Sequence, residues 1–133
     1  MKRIFTFLTS ICCSILMLQA EVIKLNATSF ACKYQNEYGY WTDWTDWKDC
    51  RILVVINTEK NRINIYSNSP QEYDVYDYTP EYSDKKGGRT TTFKCVDADG
   101  DRCEIRLRQQ RDGQFQLYID YSNIMWVYTI ESR

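Results

Sequence analysis

The stretch FKCVDADGDRCEIRLRQQRDGQFQLYID, residues 93–120, contains three short segments separated by two clusters of turn-forming residues. In the second and third segments, apolar and polar residues alternate with a period of two, which is typical of strands with one buried and one solvated face. The links are too short for helical crossovers, so neighbouring segments must run antiparallel. The predicted inward set of these two strands is Cys103, Ile105, Leu107, Phe115, Leu117 and Ile119.

The same pattern of short strands and turn residues extends along the chain, and no long helical pattern occurs. We predict about eight strands, over residues 21–34, 51–57, 62–67, 72–78, 89–96, 102–109, 114–121 and 124–130. The fold class is therefore all-β, a single antiparallel meander. A small up-and-down, lipocalin-like barrel is favoured over a sandwich because closure removes the strand edges.

Two details of this prediction depend on local composition. Residues 52–56 are uniformly apolar, so we expect this strand to be central and covered on both faces, with the tryptophan-rich segment lying across it. Residues 78–88 contain Pro80, two lysines and paired glycines, so we expect a long, exposed and mobile connection.

The N-terminal residues resemble an export signal. Lys2 and Arg3 precede an apolar stretch that ends before Glu21, which predicts a secretory signal peptide over residues 1–20 and one barrel domain over residues 21–133. No later stretch is apolar enough to span a bilayer, so we expect no stable membrane insertion and a periplasmic or secreted location. Without residues 1–20, the formal charge is 15 − 18, or −3, which does not indicate a nucleic-acid partner. The oligomeric state cannot be read from the sequence.

Four cysteines follow the predicted signal peptide, an even number in a chain bound for an oxidising compartment. Cys95 and Cys103 flank a predicted turn centred on Asp99, so they should lie opposite each other on one face of the sheet and form a disulfide. Cys32 and Cys50 would form the second pair. The alternatives are the other two connectivities, or four buried thiols.

The run WTDWTDW, residues 41–47, places three tryptophans at a spacing of three, which fits neither a strand nor a helix face. We expect this run to wrap around an edge or to form an irregular loop. Exposed aromatic side chains commonly mark contact sites, whereas single tryptophans often fill a core. A second aromatic group lies near residue 76, where a bulge beside Val75 would explain a change of phase. The candidate binding residues are Tyr38, Tyr40, Trp41, Trp44, Trp47, Tyr76 and Tyr78.

The chain contains no histidine, which excludes histidine-dependent triads and imidazole metal ligands. We therefore expect neither enzymatic activity nor a cofactor or metal, and predict a binding protein that contacts a glycan or protein partner through its aromatic residues. The alternative is a lipocalin-type carrier that holds a small apolar ligand inside the barrel. Its lining would include Ile105, Leu107, Leu117, Ile119 and Trp126.

Three short segments, Ile63 to Ser67, Cys95 to Gly100 and Met125 to Tyr128, read IxIYS, CVDxDG and MWVY. In this pattern the chain resembles small exported proteins of unknown function from Bacteroides-type bacteria. The resemblance spans about residues 50 to 130. It implies export, and it implies no activity or site.

Overall fold

The computed structural model describes residues 21–132, and the predicted signal peptide lies outside this part of the chain. Eight strands form one antiparallel meander, in which each strand pairs with the next and the last pairs with the first. The prediction of an all-β barrel of about eight strands is confirmed. The strands are β1 (Val22–Tyr34), β2 (Lys48–Asn57), β3 (Arg62–Tyr66), β4 (Gln71–Ser83), β5 (Arg89–Asp97), β6 (Arg102–Gln109), β7 (Phe115–Asp120) and β8 (Ile124–Ser132).

Four of the connections use the same five-residue turn, at residues 36–40, 84–88, 97–101 and 110–114. In each turn, the first amide donates to the fifth carbonyl, and the glycine at the fourth position donates to the first carbonyl. These glycines have φ between 83° and 94°, a left-handed conformation that glycine adopts without steric cost. In three turns the first side chain, Asn36, Asp84 or Asp97, also accepts hydrogen bonds from two amides of the turn. Local sequence therefore specifies these hairpins.

The prediction of a long mobile connection over residues 78–88 is wrong. Strand β4 continues to Ser83, which pairs with Arg89, and only the five-residue turn remains. Asp84 holds this turn to the barrel wall by accepting a hydrogen bond of 2.8 Å from Arg108 Nε. This bond, together with those from the amides of Gly88 and Lys86, lowers the pKa of Asp84 to about 2. The lysines and glycines of this segment therefore belong to a tight turn.

The predicted bulge beside Val75 is confirmed. Val75 pairs with Cys95, and Asp77 pairs with the next residue of β5, Lys94, so β4 contains one extra residue at Tyr76. An extra residue shifts the alternation of a strand by one position. The aromatic residues before and after the bulge consequently lie out of phase.

The interior of the barrel is filled by one apolar cluster of inward-facing side chains from all eight strands. Contrary to the sequence prediction, β2 is not covered on both faces: Val54 and Ile56 are buried, whereas Leu53 and Val55 are partly exposed. A closed barrel has no central strand, and the tryptophan-rich segment lies elsewhere. No helix in residues 21–132 is long and apolar enough to cross a membrane.

Candidate functional site

The chain between β1 and β2 forms a hairpin at one end of the barrel, and residues 42–48 run back along the end of β1. Gln35 and Trp41 form an isolated antiparallel bridge above the strands, and the turn at residues 36–40 closes the end. We refer to residues 36–49 as the aromatic hairpin. It contains Tyr38, Tyr40, Trp41, Trp44 and Trp47.

The spacing of three between the tryptophans matches a bulge that repeats along the hairpin. Phe30 of β1 pairs with Lys48, Cys32 with Thr45 and Tyr34 with Thr42. From one pair to the next, the position on β1 changes by two residues and the position on the hairpin changes by three. Three residues of the aromatic hairpin thus match two of β1, and each Trp-Thr-Asp unit occupies one strand period. All three indoles can therefore lie on one face, a result that a regular strand would not give.

The threonines of these units hold the bulges together. Thr45 N donates to the Cys32 carbonyl over 2.8 Å, and Thr45 Oγ1 accepts from the Cys32 amide over 3.0 Å. Thr42 makes the same pair of bonds with Tyr34, at 2.8 and 3.1 Å. In a regular antiparallel ladder, a backbone carbonyl of the facing strand would accept the hydrogen bond from each of these β1 amides. Here the threonine hydroxyl accepts it in place of that carbonyl.

We expect Thr45→Val to expose the Cys32 amide to exchange, because valine keeps the β-branched shape and removes the acceptor. Loss of one net hydrogen bond is worth about 1 kcal/mol, which corresponds to exchange about fivefold faster at this amide. Thr45→Ser keeps the hydroxyl and is the matched control. Amide hydrogen exchange measured by NMR checks this, and equal protection of Cys32 in the valine and serine variants would contradict it.

Two of the three indoles pack against the outer wall of the barrel. The Lys33 ammonium lies 4.8 Å from the ring centre of Trp44 and 5.6 Å from that of Trp41. Trp44 also meets Tyr118 of β7 edge to face, with ring centres 6.4 Å apart. Such cation and ring contacts stabilise a surface by roughly 0.5–1.5 kcal/mol each. Trp41 and Trp44 therefore help to fix the hairpin to the barrel.

The barrel surface beneath this contact is itself buried. Ala31, Val127 and Tyr118 form one row across β1, β8 and β7, and Ala31 and Val127 are almost completely covered although neither belongs to the interior cluster. The Arg106 guanidinium lies 4.2 Å from the ring centre of Tyr118. Arg106 also donates two hydrogen bonds to Asp120, from Nε to Oδ2 and from Nη2 to Oδ1, the second over 3.1 Å. The row gives Trp44 an ordered, partly apolar support.

The tip of the hairpin and its third indole remain open to solvent. Tyr38 is 77% exposed, Tyr40 71% and Trp47 51%, whereas Trp41 and Trp44 are each 39% exposed. No ring or cation contact to Trp47 occurs within the described part of the chain. The structure therefore brings together five of the seven predicted binding residues.

The other two predicted binding residues lie apart from the aromatic hairpin. Tyr76 and Tyr78 belong to β4, which is separated from β1 by β2 and β3. Arg102 lies 5.5 Å from the ring centre of Tyr76, and Tyr78 packs near Phe93 with ring centres 6.4 Å apart. Both rings remain exposed. Tyr78 lies beside Phe93, which packs against the interior cluster, whereas Tyr76 lies beside Arg102, so the two rings do not share one contact.

Sequence analysis did not find the residues that support the hairpin. Lys33 and Tyr118 contact the indoles from β1 and β7, and Arg106 of β6 stacks on Tyr118, so strand register brings these three residues together. The threonine at the same place in two consecutive Trp-Thr-Asp units was a signal that could have predicted a repeated backbone contact.

All four cysteines of the described chain are free thiols, so the predicted disulfides are not present. Cys95 and Cys103 are direct cross-strand partners and both are buried, which confirms that they face each other. The interaction with the neighbouring Cys103 thiol and burial raise the pKa of Cys95.

The other predicted cysteine pair is incompatible with the register. Asp49, next to Cys50, pairs with Ser29, and the Cys50 thiol donates to the Ala27 carbonyl over 3.5 Å. Cys32 lies three residues beyond Ser29, or about 10 Å along the strand. Disulfides require Cα atoms within about 7 Å. The register that β1 and β2 share from Val22 to Ala27 already keeps the two cysteines apart, and the sequence did not indicate this register.

The residues predicted to line a carrier cavity fill the interior instead. Ile105, Leu117 and Ile119 are fully buried in the interior cluster, and Leu107 is almost as fully covered. Trp126 is partly buried and packs near Phe30, with ring centres 6.2 Å apart. This packing gives the carrier hypothesis no support.

The fold and the site define an eight-stranded up-and-down β-barrel with an aromatic hairpin at one end. Comparison with protein-family models, curated proteins and solved structures found no match to this chain. Within residues 21–132, no group of three or more histidine, cysteine or acidic side chains is placed to hold a metal ion.

Proposed function

We propose that this protein is an exported, non-enzymatic binding protein whose aromatic hairpin contacts a glycan or protein partner. The observation that carries this proposal is the exposure of Tyr38, Tyr40 and Trp47, which are close in sequence on the hairpin at one end of the barrel. Export, to the periplasm or beyond the cell, rests on the signal-peptide features of residues 1–20.

The physical argument concerns the cost of exposed aromatic surface. An exposed indole gains free energy when a partner covers it, and aromatic residues lose little side-chain entropy on binding. The hairpin backbone is held by the turn at residues 36–40 and by the two threonine contacts, so ordering the loop adds little to the cost of association. A rigid, exposed aromatic surface of this kind suits a binding site better than a structural element alone.

We expect Trp47→Ala to weaken partner binding at least about tenfold while the barrel stays folded, because this indole has exposed area and no described ring or cation contact. The matched control is Tyr82→Ala, since Tyr82 is 47% exposed and lies towards the opposite end of the barrel. Both variants and the wild type would be screened against glycan and protein arrays, with circular dichroism as the check on folding. If every interaction found for the wild type survives in folded Trp47→Ala, the proposal is wrong.

A further inference from the structure

The aromatic hairpin carries the net negative charge of the exported chain. Residues 36–49 contain Glu37, Asp43, Asp46, Asp49 and one basic residue, Lys48, so their formal charge is 1 − 4, or −3. Residues 21–133 contain 15 basic and 18 acidic residues, which also gives −3. The rest of the exported chain is therefore neutral overall, and the acidic charge coincides with the aromatic surface.

The hairpin carboxylates form no ion pair that is described for residues 21–132. Their residues are all exposed. Exposed charge of one sign attracts partners of the opposite sign and repels those of the same sign. An anionic glycan is therefore disfavoured at this surface, and a neutral glycan would gain nothing from the charge.

One cationic side chain of the protein, Lys33, already contacts two of the three indoles. Lys33 places its ammonium near both Trp41 and Trp44. Because three hairpin residues match two residues of β1, the position equivalent to Lys33 for the pair Trp44 and Trp47 is Ala31. Alanine supplies no cation, so Trp47 lacks the partner that the preceding indoles share. A cation from another molecule can interact with the face of Trp47.

We propose that the partner is a protein that presents arginine or lysine side chains to Trp47, with Asp46 and Asp49 pairing with the same cations. This inference rests on the proposed function and specifies its partner class. Cation–π contact at the indole and ion pairing at the flanking carboxylates act together on a guanidinium or ammonium group. Electrostatic attraction also speeds the encounter and makes it dependent on salt.

The test uses a capped arginine-rich peptide and a second peptide in which citrulline replaces every arginine, which removes charge and keeps shape. Binding to the purified chain is followed by tryptophan fluorescence at about 0.05 M and about 0.5 M salt, where screening lengths differ about threefold. We expect the arginine peptide to bind at least about tenfold more tightly than the citrulline peptide, and its binding to weaken at high salt. Trp47→Ala and the double variant Asp46→Asn/Asp49→Asn should each lose this preference.

The charge control is Glu59→Gln, which removes an exposed carboxylate from the turn between β2 and β3, at the other end of the barrel. This variant should bind like the wild type. Equal affinity for the two peptides, no binding of the arginine peptide, or full binding by the Trp47 and aspartate variants would overturn the inference. If a neutral glycan binds and Trp47→Ala abolishes that binding without salt dependence, the proposed function stands and only the cationic partner is wrong. If no ligand responds to Trp47→Ala, the proposed function fails as well.

Discussion

Oxidation of the folded protein is expected to join Cys95 to Cys103 and to leave Cys32 and Cys50 unjoined. The first two cysteines are cross-strand partners with their side chains in the same interior cluster, whereas about 10 Å of strand separates the second pair. The two thiols together lose two electrons and two protons to an oxidant such as oxidised glutathione, which becomes reduced. Closing this nine-residue loop should stabilise the fold by about 2.5 kcal/mol in the chain-entropy model.

Peptide mapping of the oxidised protein checks the connectivity, and denaturant unfolding with and without dithiothreitol checks the stability. The double variant Cys95→Ala/Cys103→Ala is the control, because its stability should not respond to the reductant. A bridge that contains Cys32 or Cys50 would contradict the register described above. An unchanged unfolding midpoint on reduction of the wild type would contradict the stabilising role.

Trp44→Ala is expected to destabilise the protein by about 2 kcal/mol, more than Trp47→Ala, whose cost should stay below about 1 kcal/mol. Trp44 contacts Tyr118 and Lys33, whereas Trp47 makes no ring or cation contact within the described chain. Removing the Trp44 indole should also uncover Ala31 and Val127, which lie in the row below it. Adjacent tryptophans of the same repeat would thus have different roles, one in stability and one in binding.

Urea unfolding of the two variants beside the wild type measures this difference. Phe at position 44 is a useful second variant, because Trp44→Phe keeps a ring for the contact with Tyr118 and should recover about half of the loss. If Trp44→Ala and Trp47→Ala destabilise the protein equally, the contacts of Trp44 with Lys33 and Tyr118 do not support the hairpin. In that case the exposures of the two indoles would not predict their roles.

Much of the barrel could be predicted because its determinants are local. The alternation of Cys103, Ile105 and Leu107 identified β6 and its inward face, and the flanking turn residues identified the opposition of Cys95 and Cys103. The proline and glycines of residues 78–88 predict a loop, and this prediction is wrong. Pairing with β5 instead keeps β4 extended through two register shifts, as far as Ser83.

The candidate site could be predicted in part. The sequence identified the aromatic residues, because three tryptophans and two tyrosines within ten residues are visible without a structure. It could not identify Tyr118 and Arg106 as supports, since these residues are distant in sequence and come near the hairpin only when β8 pairs with β1. Lys33 is close in sequence, but its position beside two indoles depends on the three-to-two register of the hairpin. The separation of Tyr76 and Tyr78 from the hairpin likewise depends on the strand order of the barrel.

By itself, then, the sequence determined the strands, the hairpin turns and the inward faces, because these depend on alternation and on turn residues within a few positions of each other. The tertiary structure decided which indoles are held and which is free, and it placed Cys32 and Cys50 too far apart to meet. It did so through register: the pairing of β1 with β2 separates the two cysteines, and the repeated bulge gives three residues of the hairpin the length of two on β1, an offset that sets the neighbours of Trp44 and Trp47.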